Sequence, residues 1–266
     1  MNFKTMFTAG IFAAASICVV SAAEVAAVKT AADLAKTATV SVKNAVATIK
    51  GSGSIAFSSK AFAVKPGKKY KVTAEVKTIS GTPGTILLGL APLDAKGKAI
   101  NSIDVNVMKG SETELAVAAK KGDKVLTVKN ASKWNKASAY SAIVFNAKAD
   151  LSDLPNREQA KTVKGKIVKK GNVWEITLVK PLAKAYAAGT KVRQQCSGNG
   201  YIYTFIKGKL PVGQSAKTSA FCSGISKAGT PGHQFWAGTK SAKLMIMQLG
   251  GKNPVAEIKN FKVEEL

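Results

Sequence analysis

The side chains with most to offer a ligand in this chain are aromatic. Trp236 follows Gly232 and His233 in a loop, Tyr201 and Tyr203 alternate after Gly200, and Trp134 follows a turn. Rings presented at a surface pack against the axial C–H groups of a pyranose while nearby polar groups set its orientation, so these four are candidate sugar-stacking positions, with packing in a module core or interface the alternative for Trp134 and strand-edge packing the alternative for Trp236. Tyr201 and Tyr203 share one strand face, which turns both toward a ligand or both inside. Arg193 precedes Gln194 and Gln195. Its planar fork suits a carboxylate or sulfate group, or equally a structural pair with Glu114 or Asp123. Trp174 alternates with polar neighbours and reads as core.

The chemistry of catalysis is thinly represented. A glycosidase needs two carboxylates about one bond, but Asp94, Asp123 and Asp153 sit in turn-like sequences, Glu75 and Glu175 on alternating strands, and Glu264 and Glu265 near the end. No Gly-x-Ser-x-Gly elbow occurs, His233 is the sole imidazole, and Gly51-Ser52-Gly53-Ser54 lacks the rest of a dinucleotide fingerprint. The chain therefore reads as non-enzymatic. A structural calcium ion stays open, with Asp94, Asp150 and Asp153 as oxygen donors that lack the dense spacing of a known loop motif.

Lys and Arg total 40 against 15 Asp and Glu, a formal net charge of +25. Arginine occurs only at Arg157 and Arg193, so 40 − 2 leaves 38 lysines. Lysine is a hydrated point charge that raises general attraction to polyanions and keeps strand faces solvated, whereas arginine grips phosphate or guanine bidentately. The front of the chain carries an export signal over residues 1–23: Lys4, an apolar run from Ala9 to Val20, and small-residue sites at Val20-Ser21-Ala22 and Ser21-Ala22-Ala23. A mature chain starting at Ala23 or Glu24 is expected, periplasmic, on the cell surface or extracellular, with no membrane span. Ile17 before Cys18 excludes a lipoprotein reading, and Cys18 leaves with the signal. A strongly cationic exported protein meets anionic surface polymers rather than nucleic acid. Cys196 and Cys222 then remain in an oxidising compartment, and a disulfide between them would contribute about 3 kcal/mol. Two buried thiols are the alternative.

The elements that must position these residues are strands. Val72, Ala74 and Val76 alternate with Lys71, Thr73, Glu75 and Lys77, and Trp174, Ile176 and Leu178 alternate with Glu175 and Thr177. Leu126 and Val128 repeat the pattern less perfectly. Leu244 to Met247 reads as buried on both faces. Turn sequences at Pro66-Gly67, Gly81 to Gly84, Lys96-Gly97, Gly122-Asp123, Gly171-Asn172 and Pro231-Gly232 separate the runs. The apolar phase shifts between Ile258 and Phe261, which predicts a bulge near Asn260. Only Ala26 to Lys36 has helical propensity, as a short helix or a tether.

Two stretches resemble the jelly-roll carbohydrate-binding modules of secreted bacterial polysaccharide-active proteins. The first is Phe62 to Val72 followed by Gly89 to Gly97; the second is Phe235 to Lys240, Ala242 to Leu249 and Ile258 to Val263. Between them, Thr113 to Ala116, Gly122 to Val128, Ala131 to Trp134 and Ala188 to Arg193 resemble the small β module inserted in sandwiches of phage tail fibres and bacterial surface proteins. The resemblance implies an all-β fold, an antiparallel jelly-roll-type β-sandwich formed by residues 45–110 plus 199–266, a β module at 111–198, and a tether at 24–44. It implies recognition of polysaccharide, and the lysine load turns that toward an acidic surface polymer. The ligand-binding set is Trp236, Tyr201, Tyr203, Arg193 and Trp134. The rival readings are a structural or adhesive cell-envelope protein that binds protein partners, and a hydrolase with a dispersed site.

Overall fold

The computed structural model describes residues 22–266, so the export signal read over residues 1–23 lies outside the described residues except for its last two positions. Seventeen strands form three sheets, and every pairing between them is antiparallel. The first sheet holds β1 (Ala23–Ala27), β2 (Val40–Lys43), β3 (Val46–Lys50), β6 (Lys69–Ser80), β15 (Ser215–Ser223) and β17 (Val255–Glu265), in the order β15-β6-β17-β3-β2 with β1 also on β17. The second holds β4 (Ser54–Phe57), β5 (Phe62–Ala63), β7 (Thr85–Leu93), β14 (Ile202–Lys207) and β16 (Ser241–Leu249), in the order β14-β7-β16-β4 with β5 also on β16. The third is made wholly from residues 113–196: β8 (Thr113–Glu114), β9 (Val125–Val128), β10 (Ser141–Phe145), β11 (Gln159–Lys170), β12 (Val173–Leu178) and β13 (Lys191–Cys196), in the order β8-β13-β10-β11-β12-β9.

The first two sheets bury one core between them. Val72, Val76, Ile258 and Val263 project into it from the first sheet, and Leu88, Leu90, Leu244 and Ile246 from the second. This is a β-sandwich, and the two-residue period of each strand decides which side chains enter it. The third sheet wraps a separate core of Leu126, Val128, Ile143, Phe145, Trp174 and Ile176. No helix among the described residues is long and apolar enough to cross a membrane.

The bulge expected near Asn260 is present. Asn260 adopts φ 52°, and the β17–β6 register slips between Lys259 and Lys262. That slip lets Ile258, Phe261 and Val263 all reach the core despite their mixed spacing.

The alanine-rich entry is neither a helix nor a tether. Ala23 to Ala27 pairs with the end of β17, Ala26 opposite Val263, and the Val28 amide donates to the Phe261 carbonyl at 2.9 Å. Helical structure in this segment is confined to one 3₁₀ turn, Ala31–Asp33, where the Asp33 carboxylate accepts from the Thr30 amide at 2.7 Å and the Lys29 amide at 3.0 Å. Leu34 returns to extended backbone and bridges Ser58. Sheet pairing and burial of Val28 and Leu34 override alanine's weak local preference.

Candidate binding face

The sandwich has two outward faces, and they differ in chemistry. On the first sheet, β6 and β17 set opposite charges across from one another: Glu264 opposite Lys71, Lys259 opposite Glu75, and Glu257 opposite Lys77. Such a face is solvated and contributes little binding specificity. On the second sheet, the residues turned away from the core are mostly apolar or aromatic, Ser241 and Lys243 of β16 being exceptions. Register places Tyr203 opposite Gly89, Gly89 opposite Met245, and Met245 opposite Phe57, one continuous row across four strands. The next row sets Ala91 opposite Lys243, with Tyr201 at its edge just before β14.

Neighbouring strands lie about 4.8 Å apart, so β14 and β4 are separated by about 14 Å. Yet the rings of Tyr201 and Phe57 have centroids only 5.6 Å apart, and those of Tyr201 and Tyr203 are 6.1 Å apart, edge to face. The side chains therefore lean inward from both edges of the sheet and roof Met245, which is fully buried although it points away from the sandwich core. Gly89 makes the arrangement possible. A Cβ there would stand 2.3 Å from the Ile202 carbonyl oxygen, so only glycine lets β14 approach. The rings themselves remain half exposed. Burial pushes the phenols of Tyr201 and Tyr203 up from their usual value, keeping both as neutral hydroxyls that donate and accept hydrogen bonds.

Beside these rings a cleft of about 330 Å³ opens at one end of the face. Phe57, Tyr201, Lys243, Pro92 and Asn101 line it, with Ala91 and Leu93 beneath; no carboxylate does. The cleft can stack a flat apolar surface and offer an ammonium group and an amide at its rim.

Sequence reasoning identified Tyr201 and Tyr203 but left their direction open. The structure turns both to the outward face, with Ile202 between them in the core. Phe57, Gly89 and Lys243 were missed. The available signal for Lys243 was that it interrupts the apolar run from Ala242 to Met247.

The other candidates are corrected. Trp236 is fully buried, donating from Nε1 to the Pro231 carbonyl at 3.3 Å in the sandwich core. Trp134 is buried in the core of the third sheet and donates to the Ser111 carbonyl at 2.8 Å. Neither ring offers a face to a ligand, because each fills volume that a strand pair must exclude from water. Arg193 is fully buried and paired with Asp153 at 2.6 Å, rather than with Glu114 or Asp123, and its fork is already occupied. Glu114 instead holds Lys129 and Lys191, whose ammonium groups lower its carboxyl to about 2.

Cys196 and Cys222 are separate buried thiols and form no disulfide. They lie in different sheets, on β13 and β15, and Cys222 packs into the sandwich core. Burial pushes its thiol up to about 12. The aspartates considered for calcium have protein partners. Asp94 accepts from the Lys96 and Lys98 amides and from Arg157, Asp150 from the Ser152 amide, and Asp153 from Arg193 and Asn156. Among the described residues no three acidic, histidine or cysteine side chains gather as a metal site would require.

No family model matches the chain, and no curated protein or solved structure matches it either.

Proposed function

We propose that this protein is an exported, non-catalytic polysaccharide-binding module that holds sugar rings on the outward face of its second sheet. In this reading the sandwich is of the jelly-roll kind used by carbohydrate-binding modules, and the third sheet is a β module set into it. The observation that carries the proposal is the contrast between the two outward faces. One bears alternating charge; the other presents Phe57, Tyr201 and Tyr203 around a cleft, with Met245 beneath them. A solvent-exposed sheet gains nothing from such a row unless it meets a partner, and half-exposed rings with polar neighbours suit a pyranose. The absence of carboxylates from the cleft lining fits binding without glycoside hydrolysis.

The test is a glycan panel measured at about 0.15 M and about 1 M salt, since screening suppresses exposed charge attraction and spares stacking. Binding should persist at the higher salt and weaken about 10- to 100-fold in Tyr201→Ala or Phe57→Ala, the loss of one buried ring contact. Binding that disappears with salt would replace this reading with general polycation adhesion, and salt-resistant binding that ignores both substitutions would move the site off this face.

A further inference from the structure

Lys243 occupies an unusual place. It sits mid-strand on β16, opposite Ala91, on a face otherwise built mostly from apolar and aromatic side chains. It is half-buried, and among the described residues no carboxylate lies within ion-pair distance of it. Its ammonium group borders the cleft formed with Phe57 and Tyr201, whose lining contains no acid. A lysine stem can lie along apolar surface with its ammonium group in water, so the cost here is that of holding a cation beside an apolar face with no counter-charge. Methionine or leucine would fill the same position without that cost, as Met245 and Met247 do two and four residues on.

The two arginines provide no alternative anion site. Arg157 is held by Asp94 at 2.8 Å and Arg193 by Asp153 at 2.6 Å. On the opposite face, Lys71, Lys77 and Lys259 are set across from glutamates. Within the cleft, charge recognition falls to Lys243 alone, a single ammonium suited to one singly charged substituent rather than to a bidentate group.

Building on the sugar-binding reading of this face, we infer that the cleft selects anionic sugars: a ring packs on Tyr201 with Phe57, tilted 58° to it, as a side wall, while its carboxylate or sulfate oxygen accepts a hydrogen bond from Lys243. A uronate and a sulfate ester share this chemistry. The experiment separates them by titrating the full chain with a polyuronate oligosaccharide, a sulfated oligosaccharide and a neutral oligosaccharide. Parent protein, Lys243→Met and Tyr201→Ala are compared at about 0.15 M salt. Lys243→Met keeps the aliphatic stem and removes the charge, and a melting temperature no lower than the parent's shows that the face is intact.

The parent should bind at least one anionic oligosaccharide about tenfold more tightly than the neutral one, in line with a charge-assisted hydrogen bond. Lys243→Met should erase that preference while keeping neutral-sugar binding, and the anion preferred by the parent identifies the substituent. Equal affinity for neutral and charged sugars in the parent, or a preference that survives Lys243→Met, overturns the inference. In those cases loss of binding in Tyr201→Ala shows that the sugar face still stands. Absence of binding to all three sugars overturns the inference together with the reading beneath it.

Discussion

Replacing Asp153 by asparagine should unfold the protein far more readily than its place in a loop suggests. The Asp153 side chain is 8% exposed and that of Arg193 0%. One carboxylate oxygen accepts from Arg193 Nη1 at 3.0 Å and from the Lys148 amide at 3.2 Å; the other accepts from Arg193 Nη2 at 2.6 Å and from Asn156 Nδ2 at 2.7 Å. An asparagine supplies one acceptor, turns an amide nitrogen toward groups that can only donate, and leaves the guanidinium without a counter-charge in the interior. Breaking a buried pair in this way costs about 3–5 kcal/mol, which for a chain of this length lowers the melting temperature by about 6–20 °C. Differential scanning calorimetry at pH 7 reads the change directly. The pH dependence supplies a second check. Burial pushes the Asp153 carboxyl up, but hydrogen bonds from Arg193 and Asn156 and the charge of Arg193 outweigh it, so the net shift is downward. A lowered folded-state value means the stabilisation is fully present above the unfolded value of about 3.9 and is lost as pH falls through the folded one. The gap between parent and variant should thus be complete at pH 7 and narrow below about pH 4. The double substitution Asp153→Leu with Arg193→Met should recover much of the loss, because no unpaired charge remains. A loss under about 1 kcal/mol at pH 7 would refute the reasoning, since it is what a solvated surface pair yields.

Two further outcomes check the packing at the outward face of the second sheet and the state of the two cysteines. Gly89→Ala places a methyl group against the Ile202 backbone and should cost about 1–3 kcal/mol, read as a lower urea midpoint; a midpoint equal to the parent's would show that β14 yields without strain. In the chain without residues 1–23, a thiol reagent at pH 8 should label neither Cys196 nor Cys222 natively and both after denaturation without reductant. Fewer than two reactive thiols in the unfolded, unreduced chain would restore the disulfide.

Strand periodicity was legible wherever one face meets a core and the other meets water. Val72 to Val76 and Trp174 to Leu178 behave as their alternation requires, and the phase change around Asn260 marks a real bulge. The buried run Arg193-Gln194-Gln195 was not legible as structure, since polar residues in a strand read as exposed. β13 is covered on both sides, and each side chain finds partners. Gln194 exchanges hydrogen bonds with the Asn135 backbone at 2.6 and 3.0 Å, and Gln195, with its amide nitrogen toward Ile103, donates to that carbonyl at 2.7 Å. Those partners lie dozens of residues away, so no local pattern announces them. Trp236 and Trp134 were misplaced for a related reason. A large ring beside a turn resembles a displayed ring, and only tertiary packing shows that it is covered.

The charge composition misleads about the site in an instructive way. Forty cations against fifteen acids suggest attraction everywhere, yet the cations divide by chemistry. Both arginines are tied to aspartates: Arg193 inside the third sheet, and Arg157 where that sheet meets the sandwich through Asp94 and Asp104. Their forks are used to hold the chain together. Along the outward face of the first sheet, Lys71, Lys77 and Lys259 stand opposite glutamates on neighbouring strands. Long-range attraction from the remaining lysines can bring a polyanion close, but it is diffuse and screened at physiological salt. On the proposed reading, selectivity comes from the place where a cation, half-exposed rings and a cavity coincide. On the sandwich that place is the row of Tyr203, Gly89, Met245 and Phe57 with Lys243 beside it, brought together from four strands between residues 54 and 249.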